Sequence, residues 1–119
     1  MGYLNMSLGY IKGENMIILD EGDYRFHASI GNINIFTDTE REIRTQRVLL
    51  TNIHNTENTV TVDKDWFYNK RMINLAKKNF NKTVSFSSHC KRVIVKKSNG
   101  KLKLYAIWTE VKDVELGDE

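Results

Sequence analysis

The sequence predicts a mainly β fold with one helix, and three features of its 119 residues lead to that prediction. Short segments alternate apolar and polar side chains, which is the pattern of half-buried strands. One segment places its apolar residues at helical spacing instead. An Asn-Gly pair in Ser98–Gly100 predicts a hairpin, because Asn and Gly accept the positive φ values of a type I′ turn. We therefore expect one domain over residues 16–116, with residues 1–15 as an N-terminal arm or extra strand and residues 117–119 as a tail.

The first strand region is predicted in two parts that an acidic turn separates. Residues 16–19 (MIIL) form a short apolar run, and Asp20–Asp23 (DEGD) has the composition of a turn. Apolar and polar residues then alternate through Tyr24–Ile30 (YRFHASI). Gly31 is expected to permit a bend or bulge before further apolar residues. The polar and charged residues 37–45 predict a loop.

The second and third strands are predicted on either side of a polar turn. Arg47–Ile53 (RVLLTNI) predicts the second strand, and the cluster His54–Asn58 (HNTEN) predicts the turn after it. The third strand is expected to begin at Thr59 and to continue through Trp66 and Phe67, because valines alternate with polar residues at its start.

A helix is predicted between the third and fourth strands. Its apolar residues recur on one face, namely Met72, Ile73, Ala76 and Phe80. Asn69 or Asp65 is the expected N-cap, because a short polar side chain accepts hydrogen bonds from the first-turn N–H groups. Residues 79–81 (NFN) are expected to end the helix.

The last two strands are predicted to form the hairpin. Alternation begins at Val84 and continues to Val95, and Leu102–Val111 pairs back across the Asn-Gly turn. One face of the last strand carries Leu102, Leu104, Ala106 and Trp108. We expect that face to be buried, and we expect Tyr105, on the other face among lysines, to be exposed.

This order of elements (three strands, a helix and two strands) resembles the OB-fold, a five-stranded Greek-key barrel. The resemblance covers roughly residues 16–116 and rests on topology rather than on a diagnostic short motif. The segment Thr61–Tyr68 (TVDKDWFY), followed by a helix and by Thr83–His89 (TVSFSSH), is also similar to small phage or plasmid proteins with an aromatic pair before the helix. Together the resemblances imply a single OB-like β-barrel encoded by a phage or mobile element.

Basic residues concentrate in one part of the chain. Residues 64–103 contain twelve Lys or Arg and one acid, Asp65, whereas the net charge of the whole chain is only +3. A basic block between acidic flanks indicates a surface that meets a polyanion, most plausibly nucleic acid. A solvated lysine-rich surface without a ligand explains the same count, and the charge alone does not separate the two interpretations.

The resemblance to the OB-fold implies a binding surface on strands two and three, between the loops that join strands one to two and four to five. Cations there neutralise phosphates and aromatic rings stack on bases. The expected nucleic-acid-binding residues of the four–five hairpin are Lys91, Arg92, Lys96, Lys97, Lys101, Lys103 and Tyr105. Arg44 and Arg47 are expected on the one–two loop. Trp66 and Phe67 are neighbours on a strand and face opposite sides, so only one of them is available for stacking, and the choice stays open.

Catalysis, metal binding and cofactor binding find little support in the residues. His27, His54 and His89 are scattered along the sequence, and Cys90, on the opposite side of its strand from His89, is expected to be a buried thiol. There is no glycine-rich phosphate loop, nucleophile elbow or zinc-ligand spacing. No apolar run approaches the roughly 18 residues that a membrane span needs. We expect a non-enzyme without cofactors or a membrane partner, in the cytoplasm of a bacterial host cell.

The leading hypothesis is a non-enzymatic protein that binds single-stranded DNA or RNA through its basic hairpin and aromatic stacking. The sequence does not distinguish DNA from RNA. The alternative is a phage- or mobile-element-encoded inhibitor that binds a host protein or a protein–nucleic-acid complex. A second copy of the chain is a further candidate partner, because exposed edge strands tend to pair.

Overall fold

A computed structural model describes residues 15–40 and 43–117 of the chain. Their elements in order are β1 (Asn15–Asp38), β2 (Ile43–Asn55), β3 (Thr61–Phe67), α1 (Lys70–Ala76), β4 (Thr83–Lys96) and β5 (Leu102–Leu116). The mainly β class and the position of the helix between the third and fourth strands are confirmed. The predicted arm lies outside the described residues except for Asn15, with which β1 begins, and the predicted tail does so except for Gly117.

The five strands form one antiparallel sheet in the order β3-β2-β1-β4-β5. The fourth strand thus returns to lie beside the first, after two hairpin connections and the helix. Such a return is the Greek-key order. The order ends at β3 on one side and at β5 on the other, so the observed pairings describe an open sheet.

β1 is one continuous strand, and the turn predicted at Asp20–Asp23 is wrong. Inside the strand, Asp20 accepts hydrogen bonds from Arg92 of β4. Glu21 and Asp23 each bond to His89 of the same strand β4. These acidic side chains have partners at least 66 residues later in the sequence. Local turn propensity does not include such distant partners, and here they hold the acidic segment in the sheet.

The loop predicted at residues 37–45 is the tip of a hairpin instead. The β1–β2 ladder continues outward to the pairs next to the turn, where Thr37 lies opposite Arg44. The register of this ladder shifts around Gly31, as expected. A Cβ atom at Gly31 would lie 2.9 Å from the carbonyl oxygen of Leu49, so the close approach of the two strands requires glycine there.

The chain divides into two compact units. Of the described residues, the first comprises 15–24 and 88–110, and the second comprises 25–40, 43–87 and 111–117. β1, β4 and β5 each contribute residues to both units. Each unit has its own buried residues and its own charged surface.

Three aromatic rings lie at the centre of the second unit. Phe26 and Phe86 stack with their centroids 5.5 Å apart, and Phe67 meets Phe86 edge-on at 5.3 Å. All three side chains are buried, and α1 adds the buried Met72 and Ile73. Aromatic pairs in these geometries stabilise a core beyond the effect of their buried area. This packing fixes β1, β3 and β4 within the second unit.

In the first unit, the prediction of which face of β5 is buried is wrong. Leu102 is 66% exposed and Leu104 is 47% exposed. The opposite face is turned inward, since Tyr105 packs against the buried pair Val93 and Val95 of β4. Tyr105 is therefore half-buried rather than fully exposed.

α1 is shorter than predicted. Asn69 is confirmed as its N-cap, because the side-chain oxygen accepts a hydrogen bond from the backbone N–H of Met72 at 3.0 Å. The helix ends at Ala76, and the Asn79 side-chain amide donates to the carbonyl oxygen of Leu75 at 2.7 Å. That bond satisfies a carbonyl which another helical turn would have used. Phe80, predicted on the apolar face, is consequently 56% exposed. Within the described residues, no helix is long and apolar enough to cross a membrane.

Candidate functional site

The β4–β5 hairpin of the first unit presents a group of four lysines that we call the lysine tip. The lysine tip consists of Lys96, Lys97, Lys101 and Lys103. The turn between them is closed by a hydrogen bond from the N–H of Lys97 to the carbonyl oxygen of Lys101 at 2.7 Å. Gly100 takes a φ of 85°, and Asn99 accepts a bond from the Lys101 N–H at 3.0 Å. The turn that the Asn-Gly pair predicts is therefore present, and it brings the four lysines to one end of the hairpin.

Tyr105 lies among the lysine-tip side chains. The ammonium nitrogens of Lys97 and Lys103 both lie 5.2 Å from the centroid of its ring. Both distances are within the range of cation–π attraction. Because the ring also packs against the core of this unit, it holds two of the four charges near a fixed surface. No acidic residue occurs between Lys91 and Thr109, the part of the hairpin sequence on either side of the turn.

Arg92 is paired with an acid and does not share the surroundings of the lysine tip. Its Nε donates to the two carboxylate oxygens of Asp20 at 3.0 and 3.1 Å. Only 16% of the Arg92 side chain is exposed. The hydrogen bonds from Arg92 hold the pKa of Asp20 below its usual value, and the same bonds raise the pKa of Arg92. The structure therefore assigns Arg92 to an internal ion pair rather than to a phosphate-binding surface.

Lys91 and His89 meet the acidic segment of β1 as well. The Lys91 ammonium lies 4.0 Å from a carboxylate oxygen of Glu21. His89 places Nε2 2.8 Å from Glu21 and Nδ1 2.9 Å from Asp23. A ring bonded to carboxylates at both nitrogens donates from both, so these bonds favour the imidazolium and raise the pKa of His89. Of the six hairpin cations expected from the sequence, Lys91 and Arg92 thus meet acids of β1.

The second unit holds a different arrangement, in which one arginine lies between two aromatic rings. The guanidinium carbon of Arg47 is 4.1 Å from the centroid of Trp66 and 5.1 Å from that of Phe36. We call these three residues the aromatic column. The column crosses three strands, since Phe36 belongs to β1, Arg47 to β2 and Trp66 to β3. Planar guanidinium groups stack on aromatic faces, which explains the arrangement.

Strand register places the column on the face away from the aromatic core. Arg47 lies opposite Asn34 on β1, and its Nε donates to the Asn34 side-chain oxygen at 3.4 Å. Trp66 of β3 lies opposite Leu49 of β2. Residues directly opposite in a ladder share a face, and the alternate residue Val48 is fully buried. Arg47 and Trp66 are half-buried and Phe36 is exposed, so solvent reaches the column.

The choice between Trp66 and Phe67 is settled by burial. Phe67 is 3% exposed and packs on Phe86, so it belongs to the core and its place among the expected binding residues is wrong. Trp66 is the ring that reaches the surface.

Arg44 and Arg47 were expected together on a loop, and both lie on β2. They are three residues apart on the strand, so they project to opposite faces, Arg44 opposite Thr37 and Arg47 opposite Asn34. Arg44 is exposed but is not part of the aromatic column. Phe36, which is part of it, was not among the expected site residues. The sequence alone does not reveal Phe36 as a site residue. Its place near Arg47 follows from the strand register, in which Phe36 lies two residues beyond Asn34.

Two of the three histidines, which are scattered along the sequence, are neighbours in the sheet. His27 and His54 lie opposite each other on β1 and β2, with ring centroids 5.7 Å apart. His27 is 8% exposed; its Nε2 contacts the Thr56 hydroxyl at 3.2 Å and its Nδ1 has no hydrogen-bond partner. Cys90 is fully buried, as expected. Among residues 15–40 and 43–117, no group of three or more His, Cys, Asp or Glu side chains is arranged to hold a metal ion.

No protein family model, curated protein or solved structure matches this chain.

Proposed function

We propose that this protein is a non-enzymatic binder of single-stranded nucleic acid. The observation that carries the proposal is the lysine tip, in which four lysines flank one turn, two of them lie over the Tyr105 ring, and no acid occurs between Lys91 and Thr109. Lysines that neutralise phosphates release the counterions condensed on the nucleic acid, and this release drives binding. Three acidic residues of β1, namely Asp20, Glu21 and Asp23, pair with Arg92, His89 and Lys91 rather than with an added ligand.

The aromatic column supports the choice of a single strand over any other polyanion. Bases that are not paired expose their faces, and stacking on protein aromatic rings contributes about 1–3 kcal/mol per base. Phe36 and Trp66 offer such rings on a solvent-facing part of the second unit, next to the cation Arg47. A simple polyanion such as polyphosphate has no group that uses these rings.

The order of strands supports an OB-like barrel as the finer description of the fold. OB-folds are partly open Greek-key barrels of five strands, and the order β3-β2-β1-β4-β5 contains the Greek-key arrangement. In that fold the face of strands two and three takes the ligand. Arg47 and Trp66 lie on those two strands here. The proposal includes DNA and RNA alike, in the cytoplasm of a bacterial host and with a phage or mobile element as the source.

A second candidate function is the inhibition of a host protein or protein–nucleic-acid complex. Six exposed apolar side chains in the first unit favour it, because exposed apolar side chains are available for protein contacts. They are Met16, Ile17, Ile18, Leu19, Leu102 and Leu104. Affinity capture from a host lysate with and without nuclease separates the two functions. Loss of every partner after nuclease supports nucleic-acid binding, and one protein retained after nuclease supports the inhibitor.

The lysine tip is tested by replacing its four lysines with alanine and measuring oligonucleotide affinity over a range of salt concentrations. Each lost phosphate contact reduces the slope of log K against log salt by about 0.7 for a single strand, so four reduce it by about 3. The matched control replaces Lys70, Lys77, Lys78 and Lys82, four exposed lysines of the second unit. We expect a much smaller loss of affinity and slope in the control. Equal losses in both variants would show that only net charge matters and would contradict the assignment to the tip.

A further inference from the structure

We propose that the aromatic column is a slot for one unpaired base, and that the Arg47 side chain is a latch which the base displaces. This inference rests on the proposed function and names the group that the second unit recognises. Its basis is that a planar side chain of the protein itself occupies the space between the two solvent-facing rings.

The rings are held on separate strands, so the space between them is set by the sheet. Phe36 is fixed on β1, Trp66 on β3, and β2 with Arg47 runs between them. Antiparallel pairing of β2 with each neighbour holds the two rings on either side of Arg47. The guanidinium carbon lies 5.1 Å from one ring centroid and 4.1 Å from the other. The space therefore accepts one planar group.

A nucleobase matches that space better than the guanidinium does. Both are planar and delocalised, but a base covers more of each ring and has less water to lose from its faces. The guanidinium is held in place weakly. Among the described residues, its one side-chain hydrogen bond, from Nε to the Asn34 oxygen, is 3.4 Å long and exposed to solvent. A base that enters the slot thus replaces a loosely tethered occupant.

When a base displaces it from the slot, the Arg47 side chain takes a second role. The side chain is long enough to leave the rings and to reach the phosphate that follows the inserted base, where a guanidinium binds with paired N–H groups. The latch and the phosphate contact are then two positions of the same side chain. A paired base inside a duplex is already stacked on its neighbours and cannot enter, and an abasic nucleotide has nothing to insert. The slot therefore selects unpaired bases.

The test uses the full chain, and its key variant is Arg47→Lys. Lysine keeps the charge but is not planar, so the slot is open while the phosphate contact is retained. We expect Arg47→Lys to bind a short single-stranded oligonucleotide about threefold more tightly than wild type, and an abasic oligonucleotide of equal length with unchanged affinity. Arg71→Lys on α1 is the matched control and should change neither affinity.

Removing a wall of the slot should have the opposite effect. Phe36→Ala and Trp66→Ala should each weaken binding of the base-containing oligonucleotide about tenfold and leave abasic binding unchanged. Because either variant removes a ring that shields the sheet, denaturant unfolding is measured beside affinity. A Trp108→Phe variant with Trp66 intact gives a readout that needs no wall removed. Its remaining tryptophan fluorescence should be quenched by the base-containing oligonucleotide and not by the abasic one.

Two results would overturn the inference, and they are distinct. If wild type binds both oligonucleotides equally and the Trp66 fluorescence does not respond, the slot is refuted while nucleic-acid binding stands. If wild type binds neither oligonucleotide at low salt, the proposed function fails and the slot fails with it. Tighter base-dependent binding by Arg47→Lys, together with quenching of Trp66, supports the latch.

Discussion

Arg47 and Arg92 differ in what holds the guanidinium, and that difference decides what each side chain is able to do. The Asp20 carboxylate binds Arg92 through charged hydrogen bonds in a partly buried place, so releasing Arg92 would leave a partly buried acid unpaired. Two aromatic rings and one long hydrogen bond hold Arg47 at the surface. Both arginines belong to the binding set expected from the sequence. Of the two, Arg47 remains a candidate for that role, because Arg92 is paired with Asp20 across 72 residues, a pairing for which the sequence contains no signal.

At the residue scale, the hydrogen bonds of His89 predict that the stability of the protein depends on pH. Its pKa is raised above the ordinary 6.5 by hydrogen bonds to Glu21 first and to Asp23 second. A raised folded-state pKa means that the stabilisation is fully present below the unfolded value and is lost as pH rises through the folded value. The free-energy difference between wild type and His89→Gln should therefore be largest at about pH 5–6 and shrink toward about pH 9.

Denaturant unfolding of both proteins across that pH range measures this difference. Titration of the His89 ring by NMR should give a midpoint above 6.5. A midpoint at or below that value, or a difference in stability that grows with pH, would contradict the assignment of His89 as a doubly bonded imidazolium.

At the scale of elements, residue patterning predicts that the strands and the helix exist, but it does not predict which face of β5 is buried. Both faces of β5 carry apolar side chains, with Leu102 and Leu104 on one and Tyr105 and Ile107 on the other. Alternation therefore predicts a strand without indicating which face is inward. The inward face is decided by the neighbouring strand, where Val93 and Val95 are buried. That information is not local to the segment.

The orientation of β5 predicts opposite results for two substitutions on the same strand. Ile107 is 7% exposed, so Ile107→Ala should destabilise the protein by about 2–4 kcal/mol through lost burial and a cavity. Leu104 is 47% exposed, so Leu104→Ser should change stability by less than about 0.5 kcal/mol. Denaturant unfolding at one pH measures both. A larger loss for Leu104→Ser than for Ile107→Ala would restore the orientation predicted from the sequence.

The ends of elements show the same limit of local reasoning. The acidic composition of Asp20–Asp23 and the polar residues 37–45 are typical of turns, yet both ranges contain strand residues. Each range has strand partners that are remote in sequence or that depend on the hairpin register. The turn at Ser98–Gly100 was predictable because its hydrogen bonds are local and its glycine takes a positive φ.

For the whole molecule, the basic residues of the block 64–103 form two groups that have different partners. Arg92, Lys91 and His89 meet the acids of β1, whereas Lys97 and Lys103 of the tip lie over the Tyr105 ring. A charge count over the sequence adds these groups together and so overstates the surface that meets a polyanion. The lysine tip and the candidate stacking residue Trp66 were predictable. Identifying Phe36 as a site residue and excluding Phe67 both required knowledge of how three strands pack.

The most direct test of single-strand binding compares one oligonucleotide with its own duplex, using wild-type protein at low and moderate salt in a mobility-shift or titration experiment. We predict that the single strand binds at least about tenfold more tightly than the duplex, since one stacked base contributes about 1–3 kcal/mol. Affinity for both should fall steeply with salt. Equal affinity for strand and duplex, or an affinity that does not change with salt, would contradict the account.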